Sequence, residues 1–266
     1  TTEIYTLSLH DALPIWWTVL KRGNTNLENQ EIKNWSLKDY VVHIAAHYDS
    51  SLVNPLGLQK IKTDAYTQFV EKGNFSDNLR PTLYDFLIHR ALDYYSSNET
   101  MLTRPVDYFN LAEAWVFKPA LEFSEHTFVT ADTFSSEFRV VKYYQQLLNF
   151  RIGNNNPEAL LDADRNRLEY FYNHSSNMQK DSLYIQNLRL LMSKHKNDTL
   201  VSEVYYSYGE LIRSFYQLTD PESKKNLPKA LNVFKSIVQK FPKSIAAKKS
   251  QNAINQLTIE IGRAHV

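Results

Sequence analysis

The residues best placed to do chemistry are a pair of histidines. His43 and His47 are four positions apart, so on a helix both rings lie on one face and could share a metal ion. Asp39 precedes them by one turn and could supply a third ligand. The residues between the histidines are Ile44, Ala45 and Ala46, without the Glu that follows the first His of a zinc protease, so no general base accompanies the pair. Asp85 and His89 repeat the spacing with Arg90 adjacent. A carboxylate–imidazole couple can be catalytic, but no Ser, Cys or Thr stands in a nucleophile motif to be activated, and structural pairing is expected. Asp162 and Asp164 point to different helix faces and do not form an acid–base couple. Lys243, Lys248 and Lys249 read as a small solvated basic face. The 17 tyrosines could line a peptide groove; interhelical packing with wet hydroxyls is the expectation. No glycine-rich phosphate loop occurs. The residues thus assign no catalytic, cofactor-binding or metal-binding position.

These side chains must be carried by helices. Glycine is scarce, with 6 residues, and apolar residues recur at three- and four-residue steps. Ser36 is a plausible N-cap for a helix to Tyr48 with the stripe Leu37, Tyr40, Val41, Ile44 and Tyr48. A weaker helix is predicted over Leu58 to Val70, ended by Gly73. Pro81 suits a first helical position, with Leu83, Phe86, Leu87, Leu92 and Tyr95 as the apolar face. Residues 99–133, with Pro105 and Pro119, suggest short helical pieces joined by loops. From Ser135 the pattern is regular. One helix runs to Gly153-Asn154-Asn155-Asn156, and Pro157 restarts a second. Others follow over Met178 to Met192, Leu200 to Leu218, Pro228 to Phe241 and Ser244 to Ile259. This is the length grammar of stacked helical hairpins. The run Ala230 to Ser244 resembles the second helix of a tetratricopeptide unit. Small Ala230 allows close approach, Phe234 and Val238 fill a groove, and Pro242 breaks the helix before Ser244 caps the next. The upstream Trp, Leu-Gly and Tyr of that pattern are not met.

Composition bounds the class. A chain of 266 residues is long enough for one or two domains with a sizeable core, and 43% hydrophobic residues is a globular composition. A formal charge of +1 with scattered Lys and Arg gives no footprint for nucleic acid. The absence of cysteine excludes a disulfide framework, a thiolate nucleophile and a Cys-ligated zinc site. No apolar run approaches the ~20 residues of a membrane span. The two ends read differently from the rest. Thr1 to Ile15, TTEIYTLSLHDALPI, resembles the in-frame translation of a common sequencing adapter, and so does Glu260 to Val266, EIGRAHV. Residues 1–15 and 260–266 are therefore expected to be adapter-derived, and His10, Asp11, Arg263 and His265 are set aside as site candidates.

One stretch carries a family resemblance. Arg80-Pro81-Thr82-Leu83-Tyr84-Asp85-Phe86-Leu87-Ile88-His89-Arg90-Ala91-Leu92-Asp93-Tyr94-Tyr95 resembles a motif in the N-terminal helical part of very large bacterial α2-macroglobulin-family proteins. Tyr143 to Phe150, Ala159 to Leu168 and the terminal FPKSIAAKKSQNAINQL are similar to later helices of the same region, so the resemblance covers most of residues 35–260. It implies an extracytoplasmic protein of the bacterial cell envelope or periplasm. In that family a chain of macroglobulin β-sandwich domains carries a protease-trapping function, through a cleaved bait segment and often a Cys-Gly-Glu-Gln thioester. Neither element is present here, and no functional residue carries over. The expected partners are adjoining macroglobulin-type domains of the same chain and, through the parent protein, proteases.

The expectation is an all-α protein of stacked antiparallel helical hairpins, a tetratricopeptide-like α-solenoid. Residues 16–133 would form an N-terminal helical subdomain with irregular loops, and residues 134–259 the regular hairpins. The function expected is that of a non-catalytic helical scaffold segment of a macroglobulin-like envelope protein. The alternatives are an independent tetratricopeptide-like module that binds a peptide, and a metal-dependent enzyme using His43 and His47.

Overall fold

The computed structural model describes residues 35–69, 76–97, 105–196, 198–217 and 220–264. Among these the chain is all-α, with eleven α-helices and no strand. The helices are α1 Leu37–Ser51, α2 Pro55–Leu58, α3 Ser76–Leu79, α4 Leu83–Ser96, α5 Ala120–Glu125, α6 Ser136–Gly153, α7 Pro157–His174, α8 Lys180–Lys194, α9 Val201–Ser214, α10 Asn226–Lys240 and α11 Ile245–Ala264. Short 3-10 turns occupy Thr63–Tyr66, Ala114–Phe117 and Pro221–Lys225. No helix among the described residues is long and apolar enough to cross a membrane. Residues 1–15, expected to be adapter-derived, lie outside the described residues, and α11 continues as helix to Ala264.

The chain divides into two compact units that interleave in sequence. One gathers residues up to Glu71 with Arg80–Tyr108 and Thr130–Val140; the other gathers Lys72–Leu79, Phe109–Val129 and Val141–Val266. This division follows packing, whereas the change at residue 133/134 read from the sequence follows helix regularity.

In the first unit, α1 and α4 begin the same way. The Ser36 hydroxyl accepts from the Asp39 N–H at 3.3 Å, while the Asp39 carboxylate accepts from the Ser36 N–H at 2.8 Å. At α4 the Thr82 hydroxyl accepts from the Asp85 N–H at 3.3 Å, and Asp85 accepts from the Thr82 N–H at 2.9 Å. Both are capping boxes that satisfy donors left over at a helix start. Thr82, not Pro81, therefore sets the start of α4. The buried face of α4 is Tyr84, Ile88, Ala91, Leu92, Tyr94 and Tyr95; of the expected stripe, Leu92 and Tyr95 are buried, while Leu83, Phe86 and Leu87 are only half-buried.

The helix expected over Leu58 to Val70 is absent from its described part, which holds only the end of α2 and the Thr63–Tyr66 turn; Val70 and Gly73 lie outside the described residues. A long-range pairing takes its place. Lys62 bridges Thr82, the Thr63 N–H donates to the Pro81 carbonyl at 3.0 Å, and the Leu83 N–H donates to the Ile61 carbonyl at 2.8 Å. Backbone groups used across the chain cannot also close helical turns.

In the second unit, each helix from α7 to α11 packs on the next. Asn156 N-caps α7 through the Ala159 N–H at 3.0 Å, and Pro157 takes the first turn where its missing N–H costs nothing. Asn155 adopts a left-handed φ of 53°, which lets the chain reverse between α6 and α7. The C-terminal core is Leu227, Ala230, Phe234 and Ile237 of α10 against Ala246, Ala253 and Leu257 of α11. Ile237 is buried where Val238 was expected to be; Val238 is half-buried. Ser244 caps α11, accepting from the Ala247 N–H at 3.0 Å.

Candidate functional site

The residues that looked chemical in the sequence are largely occupied by folding. Asp39 is committed to its capping box, and hydrogen bonds from Ser36 hold its carboxyl below the usual range. His43 is exposed and stacks on Trp35 with centroids 4.2 Å apart; His47 is exposed on the same helix. Among the described residues no three His, Cys, Asp or Glu side chains converge as a metal site. Asp85 and His89 are buried, and the Asp85 carboxylate accepts from the Thr82 N–H and hydroxyl, the latter at 2.6 Å, while Arg90 is exposed.

Asp162 and Asp164 each face an arginine. Asp162 lies 3.8 Å from Arg165. Asp164 pairs at 2.6 Å with Arg167, whose side chain is fully buried. Arg167 also donates to the carbonyls of Val116 at 2.6 Å and Lys118 at 3.0 Å, and stacks on Phe123. This guanidinium satisfies the irregular backbone of the Ala114–Phe117 turn from inside the fold. Ser175 and Gln145 play the same part, donating to the carbonyl of Leu111 at 2.5 Å and of Phe123 at 2.9 Å.

The second unit also holds an open cleft of about 340 Å³ between α7, α8, α9 and α11. Its walls come from two polar stripes at helical spacing. Arg165, Glu169 and Tyr172 share one face of α7; Glu203, Tyr206 and Glu210 share one face of α9. Tyr184 of α8 stacks on Tyr172 at 4.5 Å, and Lys249 of α11 reaches across to Glu203 at 3.0 Å. Arg165 pairs with Glu169 at 3.0 Å. Of the expected basic cluster, Lys243 and Lys248 are solvated, while Lys249 is drawn into this cleft and sits 5.5 Å from the Tyr206 ring.

The phenols of the cleft are pushed above their ordinary range. Burial first, then a hydrogen bond to Asp181, pushes the Tyr172 phenol up to about 12. Burial, then the neighbouring Glu210 carboxylate, pushes Tyr206 up to about 12, and burial with the charge of Glu169 raises Tyr184. A general acid or base works best near the operating pH, and these phenols have moved away from it. Ser207 and Ser214 line the same cleft, and no histidine lines it with them.

Several of the described tyrosines fall into two groups. Tyr84, Tyr94, Tyr95, Tyr143, Tyr144 and Tyr170 are buried in helix packing. Tyr172 and Tyr206 are half-buried at the cleft. Sequence reading missed the cleft because a polar stripe on one helix is indistinguishable from a solvated face; only the pairing of two such stripes makes a site. Compared with family profiles, with characterised proteins and with solved structures, the chain matches none of them.

Proposed function

We propose that this chain is a non-catalytic helical scaffold, a segment of a larger macroglobulin-like protein of the bacterial cell envelope, with tetratricopeptide-like hairpins at its C-terminal end. The observation that carries this reading is where the reactive side chains are spent: Asp39 and Asp85 cap helices, and Asp164 with Arg167 locks an irregular loop. The Arg80–Tyr95 run supports it from the same direction. Its Thr82 and Asp85 start α4, and its Tyr84, Ile88, Ala91 and Leu92 form core, so the stretch is a folding unit and not a reactive one.

For the hairpins, the support is a contact. The tetratricopeptide pattern runs Trp-x2-Leu-Gly-x2-Tyr in one helix, followed by Ala-x3-Phe and Pro in the next. Here Gly209 of α9 lies under Phe234 of α10, and Ala230, Phe234 and Pro242 keep the spacing of the second helix. Tyr205, Tyr208 and Ile212 stand where the repeat has Trp, Leu and Tyr around that glycine. The expected test is sequencing of the intact gene across both ends of this segment. Macroglobulin-type β-rich domains downstream of Ile259 support the scaffold reading, and an open reading frame without them removes it.

A second reading, an independent module that binds a polypeptide, is favoured by the cleft, where tyrosines from α7, α8 and α9 gather with exposed Asn173. Pull-down partners mapping to this face by cross-linking are its expected signature, and cross-links confined to other surfaces count against it.

A further inference from the structure

We propose that His43 and His47 form a two-donor chelate for a late first-row transition-metal dication, Cu²⁺ ahead of Ni²⁺ and Zn²⁺, on the exposed face of α1. This goes beyond the scaffold reading and does not depend on it. The first ground is register. Both histidines lie well inside α1, whose start is fixed by the capping box of Ser36 and Asp39. Four positions along a regular helix put two side chains on one face with Cβ atoms about 5–6 Å apart. Helical side chains lean back toward the N-terminus, so His47 leans over the turn that carries His43. Two imidazoles so placed can meet one ion at bonds of about 2.0–2.1 Å.

The second ground is availability. Both residues are exposed, and no hydrogen bond or ion pair to a described residue engages either imidazole. Other histidines are differently placed: His89 is buried, a ring nitrogen of His174 lies 2.8 Å from the Tyr170 carbonyl, and His126 faces Glu113 at 3.8 Å. The ring contact of His43 is its stack on Trp35, with centroids 4.2 Å apart and planes 14° from parallel. Stacking uses the face of the ring, whereas a metal is bound through a nitrogen at its edge. Trp35 therefore steadies the donor without covering it, and a steadied side chain has less freedom to lose on binding.

The third ground is donor chemistry. Neutral imidazole suits copper, nickel and zinc, and at a given nitrogen site copper binds ahead of the other two. The sequence offered Asp39 as a third donor, but its Oδ2 accepts from both the Ser36 N–H at 2.8 Å and the Ser36 hydroxyl at 2.7 Å. No group of three His, Cys, Asp or Glu converges among the described residues. The ion thus keeps positions for water, which makes this a surface chelate and not a closed structural site.

The test is calorimetric titration of the full chain with Cu²⁺, then with Ni²⁺ and Zn²⁺. One saturable site is expected at the pair, with Cu²⁺ the tightest. His43→Ala and His47→Ala should each weaken it roughly tenfold or more, because the second imidazole binds as an intramolecular donor. Both positions are exposed and alanine is the best helix former, so both variants should melt no lower than the parent. Cu²⁺ should quench Trp35 fluorescence, and Trp35→Phe should remove that quench while keeping the site. Paramagnetic resonance of the Cu²⁺-loaded parent, which needs no variant, should show two imidazole nitrogens. Three results overturn the proposal: no saturation by millimolar metal, the parent's affinity in both alanine variants, or a single imidazole in the resonance spectrum.

Discussion

At the scale of single residues, the buried charged groups Asp85, Asp164 and Arg167 each have a fixed structural partner. Arg167 is the clearest case, since a fully buried guanidinium is tolerated only when its donors are all spoken for. Arg167→Met would strand the Asp164 carboxylate and the carbonyls of Val116 and Lys118, and is expected to cost about 3–5 kcal/mol in denaturant unfolding. Adding Asp164→Leu should recover part of that loss, because an apolar pair leaves no buried charge behind; a double variant no better than the single one contradicts this account. Gly209 makes the opposite point about size. In an open helix Gly→Ala gains up to about 1 kcal/mol of propensity. Here the new Cβ would stand 2.6 Å from the buried Phe234 ring, and overpacking of about 1–3 kcal/mol outweighs the gain. Gly209→Ala is therefore expected to melt below the parent chain. The cleft phenols set a pH dependence. Their folded values near 12 lie above the unfolded value of about 10, so their contribution is complete below pH 10 and is lost as pH rises toward 12. Melting temperature should fall through that window, and Tyr172→Phe with Tyr206→Phe should flatten the fall.

At the scale of elements, helix starts are set by a few capping side chains that bond within three residues of themselves. Thr82→Ala removes the hydroxyl that satisfies the Asp85 N–H and is expected to cost about 0.5–2 kcal/mol, read as a lower denaturant midpoint with unchanged slope. Asp85 lies within the fold and its carboxylate also loses the bond from the Thr82 hydroxyl at 2.6 Å, which should place the value in the upper half of that range. The starts and stops governed by such local chemistry were legible in the sequence: Ser36 before α1, Pro157 at α7, and Pro242 with Ser244 between α10 and α11. What could not be read locally was set by distant chain. Residues 58–69 carry helical spacing, yet the pairing of Ile61 and Thr63 with Leu83 and Pro81 takes their backbone bonds. Placing the start of α4 at Thr82 goes with a buried stripe centred on Tyr84 and Ile88. The cleft escaped notice for a related reason. Arg165, Glu169 and Tyr172 alone look like surface, as do Glu203, Tyr206 and Glu210, and their meaning appears only when α7 and α9 are brought side by side.

At the scale of the whole molecule, the question is how far a perturbation travels. In the second unit each helix from α7 to α11 rests on its successor, and the core of α10 and α11 is separate in sequence from the ring contact of Phe123 in α5 with Phe171 in α7. Stability built from neighbour contacts is approximately a sum of local terms, so damage in one helix pair should be felt mainly there. Phe234→Ala deletes a fully buried ring and is expected to remove about 3–5 kcal/mol from its surroundings. Native-state hydrogen exchange should then show amides of α9, α10 and α11 losing most of their protection while those of α6 and α7 keep theirs. Arg167→Met should give the reverse map, because its anchors are Val116, Lys118 and Asp164. Two complementary maps are what helices stacked on their neighbours require. Uniform loss of protection in both variants would mean that the unit unfolds as one cooperative body, and the hairpin-by-hairpin account of its stability would have to be given up.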